Sequence, residues 1–178
     1  MASELQALLA DGKLAGAWTL DGAKSSVGLS SKSVWNLANV KGRFTQVTGA
    51  AVISAAGEAT GTITVAAASV DTKKKKRDDH LRSADFFDAG KYPDISAGIT
   101  AVTLAGDGEN ATFSGTLTVR DQTRPVTLSG KVSAQGTAQI TLDAELPVNR
   151  SDYAMSFNWL GMMSLHNIIT IHAVFTRA

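Results

Sequence analysis

Residues 111–133, ATFSGTLTVRDQTRPVTLSGKVS, decide the fold, because apolar and polar side chains alternate on both sides of a short polar break. Before the break, Phe113 and Leu117 fall on one face and threonines and serines on the other, and after it Val126 and Leu128 continue the alternation. A period of two is typical of a β-strand with one buried face and one solvated face, and such strands usually pair antiparallel. The stretch therefore predicts two neighbouring antiparallel strands.

The same alternation recurs along the chain, at residues 60–70, 138–148 and 167–175. Short glycine-centred links, of the kind that hairpins require, separate the alternating stretches. About eight strands result, and eight long strands in an up-and-down order close naturally into a barrel without free edges. We therefore predict an all-β fold, an eight-stranded antiparallel β-barrel.

The N-terminal residues depart from this pattern and predict a short helix. Ser3 is a candidate N-cap with Gln6 three residues later, and Gly12 stands just past the helix end. We divide the chain into a helical extension, residues 1–15, and a barrel domain, residues 16–178. The extension lacks the basic start and unbroken apolar run of a secretory signal, and no stretch reaches the roughly 18 apolar residues of a membrane span, so we expect a cytoplasmic protein.

Composition and motifs exclude several classes of function. The chain has no cysteine, which removes disulfides, thiolate catalysis and cysteine-ligated zinc. Its net charge of +1 creates no general attraction for nucleic acid, and the lysines at 73–76 stand close to aspartates, so we interpret them as solvated. His166 and His172 lie about 20 Å apart along a predicted strand, too far to share a metal ion. No phosphate-loop, dinucleotide or hydrolase motif occurs, so the sequence predicts no catalytic residue, cofactor, metal site or nucleic-acid partner.

The residues predicted to face inward include many small ones, among them Gly115, Gly130 and Ala144. Small inward residues favour open space inside the barrel. An eight-stranded barrel is either filled by its own side chains or holds one small ligand. Larger inward residues such as Phe113 are able to fill that volume, so the residues alone leave both interpretations open.

Residues 77–95, RDDHLRSADFFDAGKYPDI, resemble the signature of the bacterial YceI-like family, Arg-Asp-x-His-Leu-x-Ser-x-Asp-Phe-Phe followed shortly by Tyr-Pro. The resemblance covers about residues 16–177, in the order of the family's motifs. Four further stretches carry it: WTLDGAKSSV at 18–27, VKGRF at 40–44, GTLTVRDQTRPVTL at 115–128 and VNRSDYAMSFN at 148–158.

The resemblance implies a lipocalin-like barrel with a long hydrophobic tunnel for a polyisoprenoid chain or a related long lipid, such as an isoprenoid quinone. The implied function is non-enzymatic binding, storage or transport of that lipid. Exchange of such a ligand implies a transient contact with a membrane, and a homodimer is left open. We predict that the ligand contacts the barrel interior and its lid at Phe44, Val65, Leu81, Phe86, Phe87, Phe113, Leu117, Leu128, Ile140, Leu142, Trp159, Met162 and Ile171.

The segment after the lysines is interpreted as a short helical lid. Arg77, Asp78 and His80 are predicted to anchor the lid, His80 through a buried hydrogen bond, while Phe86 and Phe87 close over the barrel. The lysines are assigned to the end of the preceding strand and its exit, and the helical turn is expected to begin at Asp78, where a carboxylate satisfies free backbone N–H groups.

Three alternatives to this function stay open. One is a lipid-modifying enzyme that uses His80 with Asp78 or Asp79, since a carboxylate beside an imidazole is a common acid–base pair. Another is a fatty-acid or fatty-acid amide binding protein. The last is a stress-response barrel filled by its own side chains. For the lipid-binding interpretation, we expect the polar head group near the lid, with Arg77 and Arg150 among its partners, and the tail deep in the barrel.

Overall fold

The computed structural model describes residues 3–33, 38–155 and 163–178. Two α-helices, α1 (Glu4–Ala10) and α2 (Lys75–Arg82), and two short 3₁₀ segments, Ala67–Ser69 and Arg150–Tyr153, accompany the strands in this part of the chain. The strands are β1 (Gly16–Leu20), β2 (Ser26–Ser33), β3 (Ala38–Phe44), β4 (Val47–Ile53), β5 (Ala59–Ala66), β6 (Val70–Asp71), β7 (Asp94–Leu104), β8 (Asn110–Val119), β9 (Gln122–Gln135), β10 (Gln139–Asn149) and β11 (Met163–Arg177).

Eight of the described strands close into one antiparallel barrel. Around the ring the order is β1, β4, β5, β7, β8, β9, β10 and β11, and β11 closes the ring by pairing with β1, where Phe175 lies opposite Leu20. Three strands continue the sheet beyond this ring, because β2 pairs with β11, β3 with β2 and β6 with β3. The prediction of an eight-stranded antiparallel barrel with two short helices is confirmed. Closure pairs the edges that an open sheet would expose.

Strands β8 and β9 are the stretch whose alternation predicted the fold. They pair around a tight turn at Arg120, with Phe113 opposite Leu128 and Leu117 opposite Arg124. Phe113, Leu117 and Leu128 are buried, while the polar residues between them on β8 are exposed. The buried face of this hairpin therefore forms part of the wall of the barrel interior.

Two inward glycines do not leave open space, which corrects part of the expectation for small residues. A Cβ atom at Gly115 would lie 1.9 Å from the carbonyl oxygen of Gly98, and one at Gly130 would lie 2.1 Å from that of Asp143. Strand β7 also shifts its register against β8 close to this point, between Ile99 and Ala101. A glycine within a strand often marks a bulge or a close approach of another backbone. At these positions the neighbouring strand takes up the room that a side chain would need.

We expect Gly115→Ala to lower the free energy of unfolding by about 1–3 kcal/mol, the usual cost of overpacking, because its Cβ would meet rigid backbone. The matched control is Gly98→Ala on the neighbouring strand, where a Cβ would meet only the Thr116 hydroxyl at 3.6 Å. Urea unfolding of both variants measures the difference. Equal stability of the two would mean that β7 and β8 adjust without cost.

Helix α1 begins as the sequence predicts. The Ser3 hydroxyl accepts a hydrogen bond from the Gln6 N–H, and the Gln6 side chain accepts one from the Ser3 N–H, so the capping box is complete. The helix lies at the end of the barrel where β4, β7 and β11 finish, which we call the α1 end. Helix α2 lies at the other end, the lid end. Neither helix found in the described residues has the length and apolar character needed to cross a membrane.

Candidate functional site

An apolar cavity of about 380 Å³ lies inside the barrel at the α1 end. Ligand pockets usually have volumes of about 300–1,000 Å³, so this cavity alone is large enough for part of a ligand. The strands contribute mostly aromatic and aliphatic side chains to its wall, and α1 contributes Leu5 and Leu9. The aromatic residues of the wall are Trp18, Phe113 and Phe175.

A smaller cavity, of about 130 Å³, lies at the lid end. Phe44 and Phe87 line it and meet edge to face, with ring centroids 5.7 Å apart. Polar side chains line both cavities, but among the described residues arginines reach only the lid-end cavity. Gln6, Thr60 and Thr62 line the α1-end cavity, whereas the polar residues of the lid-end cavity are Ser31, Thr72, Arg77, His80, Arg150 and Asn167.

On three strands, one buried residue stands in the sequence between the residues that line the two cavities. On β8, Leu117 lies between Phe113, which lines the α1-end cavity, and Val119, which lines the lid-end cavity. On β11, Ile171 lies between Phe175 and Ile169 in the same way, and on β10 Leu146 lies between Leu142 and Val148. All three residues are buried and line neither cavity. We call Leu117, Leu146 and Ile171 the middle layer.

The predicted ligand contacts fall into four groups by their place in this interior. Phe44, Leu81, Phe86 and Phe87 line the lid-end cavity. Phe113, Ile140 and Leu142 line the α1-end cavity. Leu117 and Ile171 belong to the middle layer, and Val65 and Leu128 are buried without lining either cavity. Trp159 and Met162 lie outside the described residues.

Helix α2 begins at Lys75, three residues before the expected start, so Lys75 and Lys76 belong to the helix and their assignment to the exit of the preceding strand is wrong. Asp78 is buried and accepts hydrogen bonds from the backbone N–H of Thr72, at 2.9 Å, and from its hydroxyl. Arg77 donates to the same hydroxyl at 2.8 Å and to the Thr72 carbonyl at 2.7 Å. Asp78 and Arg77 therefore fasten the lid to the residue that follows β6.

His80 is more exposed than predicted. Its Nε2 atom lies 2.8 Å from a carboxylate oxygen of Asp85, and its ring meets Phe86 edge to face at 5.0 Å between centroids. The imidazole is 41% exposed, so its contact with Asp85 is not a buried hydrogen bond. The carboxylate beside His80 is Asp85 rather than Asp78 or Asp79, since Asp78 bonds to Thr72 and Asp79 forms surface ion pairs with a lysine and an arginine of α2.

Arg120 connects the lid to two other segments, a role that the sequence did not suggest. Its Nη1 atom donates to the carbonyl oxygens of Ala84 and Phe86, at 3.2 Å each, and of Ala154, at 3.0 Å. Its guanidinium also lies 5.8 Å from the ring centroid of Tyr92. The one available signal was its place in the motif GTLTVRDQTRPVTL, which carries the family resemblance but assigns no contact to the arginine.

Arg150 places a positive charge beside the lid-end cavity. It is 6% exposed, it donates to the Met155 carbonyl at 2.7 Å, and its guanidinium lies 5.5 Å from the ring centroid of Phe86. Burial lowers the pKa of Arg150 from its ordinary value and raises the pKa of neighbouring Tyr153. An arginine keeps its charge in proteins, so the cavity carries a fixed cation among aromatic rings.

A closed antiparallel barrel with an apolar interior and a helical lid defines a lipocalin-like barrel protein. Residues 18–176 match the model of the YceI-like domain, and the chain belongs to the YceI-like family.

Individual relatives agree with this assignment. The chain is similar to the crystal structure of BcnA from Burkholderia cenocepacia, with a TM-score of 0.79, 28% identity, and coverage of 87% of this chain and 98% of that one. It also shares the fold of a polyisoprenoid binding domain from Saccharophagus degradans, with a TM-score of 0.72, 17% identity, and coverage of 90% and 98%. Protein YceI of Escherichia coli O157:H7 is 43% identical over 74 residues, and this match spans 42% of the chain but only 38% of the relative's length.

Proposed function

We propose that the protein binds one long-chain lipid, a polyisoprenoid or an isoprenoid quinone, inside its barrel, and that it stores or carries this lipid without changing it chemically. The observation that carries the proposal is the apolar cavity of about 380 Å³ inside the barrel. A concave, mostly apolar site with a few polar groups at one end is typical of small-molecule binding. The name of the Saccharophagus degradans domain is in line with the proposed ligand class.

The placement of charged side chains supports one orientation of the lipid. The wall of the α1-end cavity is mostly apolar and its polar residues are uncharged, which suits a hydrocarbon tail, whereas Arg77 and Arg150 reach the lid-end cavity. A buried polar head group without a partner costs about 1–3 kcal/mol, so the head favours the end where donors are available. Both arginines can donate a hydrogen bond to a hydroxyl or carbonyl oxygen.

A chain that occupies both cavities has to pass the middle layer. Leu117, Leu146 and Ile171 are buried along that route and are side chains that the lipid would meet. Side chains in a close-packed core change rotamer more readily than strands separate, so we infer that rotation of these aliphatic side chains opens the passage when the lipid enters.

Organic extraction of the purified protein, followed by mass spectrometry, tests the proposal. We expect about one long-chain lipid per protein, and the mass distinguishes a prenyl chain from a fatty acid or fatty-acid amide. The structure provides a matched pair of variants on β4. Ala51→Leu points into the α1-end cavity and should reduce the lipid recovered, whereas Ala50→Leu lies on the exposed outer face and should not.

Two results would contradict the proposal. Recovery of no lipid, combined with no uptake of an added prenol, would favour a barrel filled by its own side chains. Recovery of a lipid together with a chemically altered form of it, produced by the wild-type protein and not by His80→Ala, would favour an enzyme.

A further inference from the structure

Helix α1 lies at one end of the barrel and contributes to the wall of the cavity there. It lies outside residues 18–176, the part that matches the family model. Leu5 is 4% exposed and lines the α1-end cavity together with Leu9. The wall of the cavity on this side is therefore formed by a short helix that does not belong to the barrel itself.

The polar attachment of α1 to the barrel is slight. Among the described residues, two side-chain hydrogen bonds join it to barrel loops: the Ser3 hydroxyl donates to the Gly108 carbonyl at 3.0 Å, and the Gly136 N–H donates to the Glu4 carboxylate at 3.3 Å. Helices much shorter than about 12–15 residues are marginal by themselves in water. The seven-residue α1 therefore depends mainly on the burial of its leucines to keep its place.

The residues that follow α1 are held much more firmly. Leu14 is fully buried, and its carbonyl accepts a hydrogen bond from the Trp18 indole at 2.9 Å. Arg177 donates to the carbonyl of Ala15, at 2.6 Å, and to that of Lys13. Between the weakly attached helix and this anchored segment stands Gly12, with a φ of +69°, in the region that glycine adopts at no steric cost.

We propose that α1 is a stopper for the barrel, that it moves as a unit about Gly12, and that its seated position limits the length of lipid chain held inside. This inference rests on the proposed function. A strand of ten residues at about 3.4 Å each, tilted by about 40°, gives an interior roughly 26 Å long. A tail longer than this interior has to fold back, protrude at the lid end or displace α1, and Leu5 and Leu9 are the side chains it would meet.

An engineered disulfide between α1 and the barrel, which can be reduced again, tests the proposed movement of α1. A Cβ atom at Gly57 would lie 3.5 Å from the Cβ atom of Leu9, within the range of about 3.5–4.5 Å found in disulfides. The chain has no cysteine of its own, so Leu9→Cys with Gly57→Cys gives a single defined pair. Gly57 has a φ of +87°, and the strain of a cysteine there is present in both the oxidised and the reduced protein. The reduced protein is therefore the matched control.

The probes are farnesol, with three isoprene units, and solanesol, with nine, whose extended length exceeds the interior. We expect both redox forms to bind farnesol equally, and the oxidised form to bind solanesol at least tenfold more weakly than the reduced form. Leu5→Asp, which places a charge at the buried face of α1, should have the opposite effect and strengthen solanesol binding relative to farnesol. If the ratio of the solanesol Kd to the farnesol Kd is the same in the oxidised cysteine variant, the reduced cysteine variant and Leu5→Asp, then α1 does not limit the length of the bound chain.

Hydrogen exchange of the wild-type protein supplies a readout that does not depend on a lipid. We expect the amides of α1 to exchange through local opening, well before those of Trp18 and Thr19 in the paired strand β1. If the amides of α1 exchange only together with those of Trp18 and Thr19, on global unfolding, then α1 does not move about Gly12. If the wild-type protein binds neither prenol, the proposed function fails and the length limit with it, and the exchange pattern still decides whether α1 opens.

Discussion

Replacement of Asp78 by alanine is expected to lower the free energy of unfolding by about 3–5 kcal/mol. The carboxylate is 6% exposed and accepts two hydrogen bonds from Thr72, which is itself buried. Hydrogen bonds to charged groups contribute about 1.5–3 kcal/mol each, and removal of the acceptor leaves a backbone N–H and a hydroxyl buried without it. The lid would lose its attachment at the point where the chain leaves β6.

The neighbouring residue provides the control. Asp79 is on the surface, where it forms ion pairs with Lys75 and Arg82, and such exposed pairs contribute little to stability. Asp79→Ala should therefore leave the urea midpoint almost unchanged. Asp78→Asn keeps one acceptor oxygen and should fall between the two. If Asp78→Ala and Asp79→Ala had the same midpoint, the attachment through Thr72 would not hold the lid.

Truncation of the middle layer is expected to have an effect of similar size. Leu117 is 4% exposed, and Leu117→Ala should cost about 2–5 kcal/mol, the usual range for a buried leucine. The same change shortens the side chain that stands on β8 between Phe113 of one cavity and Val119 of the other. Binding of solanesol should therefore become stronger relative to binding of farnesol, because less of the core has to move when a long chain enters.

Leu142→Ala distinguishes two effects of a truncation: joining the two cavities, and enlarging the space inside the barrel. Leu142 is half-buried and lines the α1-end cavity, so its truncation enlarges one cavity without joining the two. We expect Leu142→Ala to leave the preference between the two prenols as it is in the wild-type protein. An equal change of preference in both variants would show that volume alone decides and that the middle layer is no barrier. Urea unfolding and equilibrium binding on the same preparations give both quantities.

The elements that could be predicted from sequence are those whose cause is local. The alternation in residues 111–133 produces the β8–β9 hairpin, because the side-chain period of two is a property of the strand itself. The capping box at Ser3 and Gln6 likewise involves residues three apart. The division between the extension and the barrel domain, at residues 15 and 16, follows from these same local patterns and stays a prediction.

Two features of the lid could not be predicted from local sequence: the start of its helix and the partner of His80. The position of the lid was predicted from the family resemblance, but the helix begins at Lys75 and His80 contacts Asp85. Charged residues crowd this segment, and several carboxylates were equally close to His80 in the sequence. Which of them becomes its partner depends on how the helix lies on the barrel. The sequence does not contain that orientation in any local pattern.

The sequence by itself determined that strands alternate a dry and a wet face, that they close into a barrel, and that a capped helix precedes them. Tertiary structure alone decided what the interior contains. Gly115 was expected to leave space, yet the carbonyl of Gly98 occupies it. Arg120 bonds to residues 34 and 36 positions away, on the lid and on the loop after β10. The physical reason is that periodicity and capping depend on near neighbours in the chain, whereas contacts and cavities depend on which distant residues the register and closure of the barrel bring together.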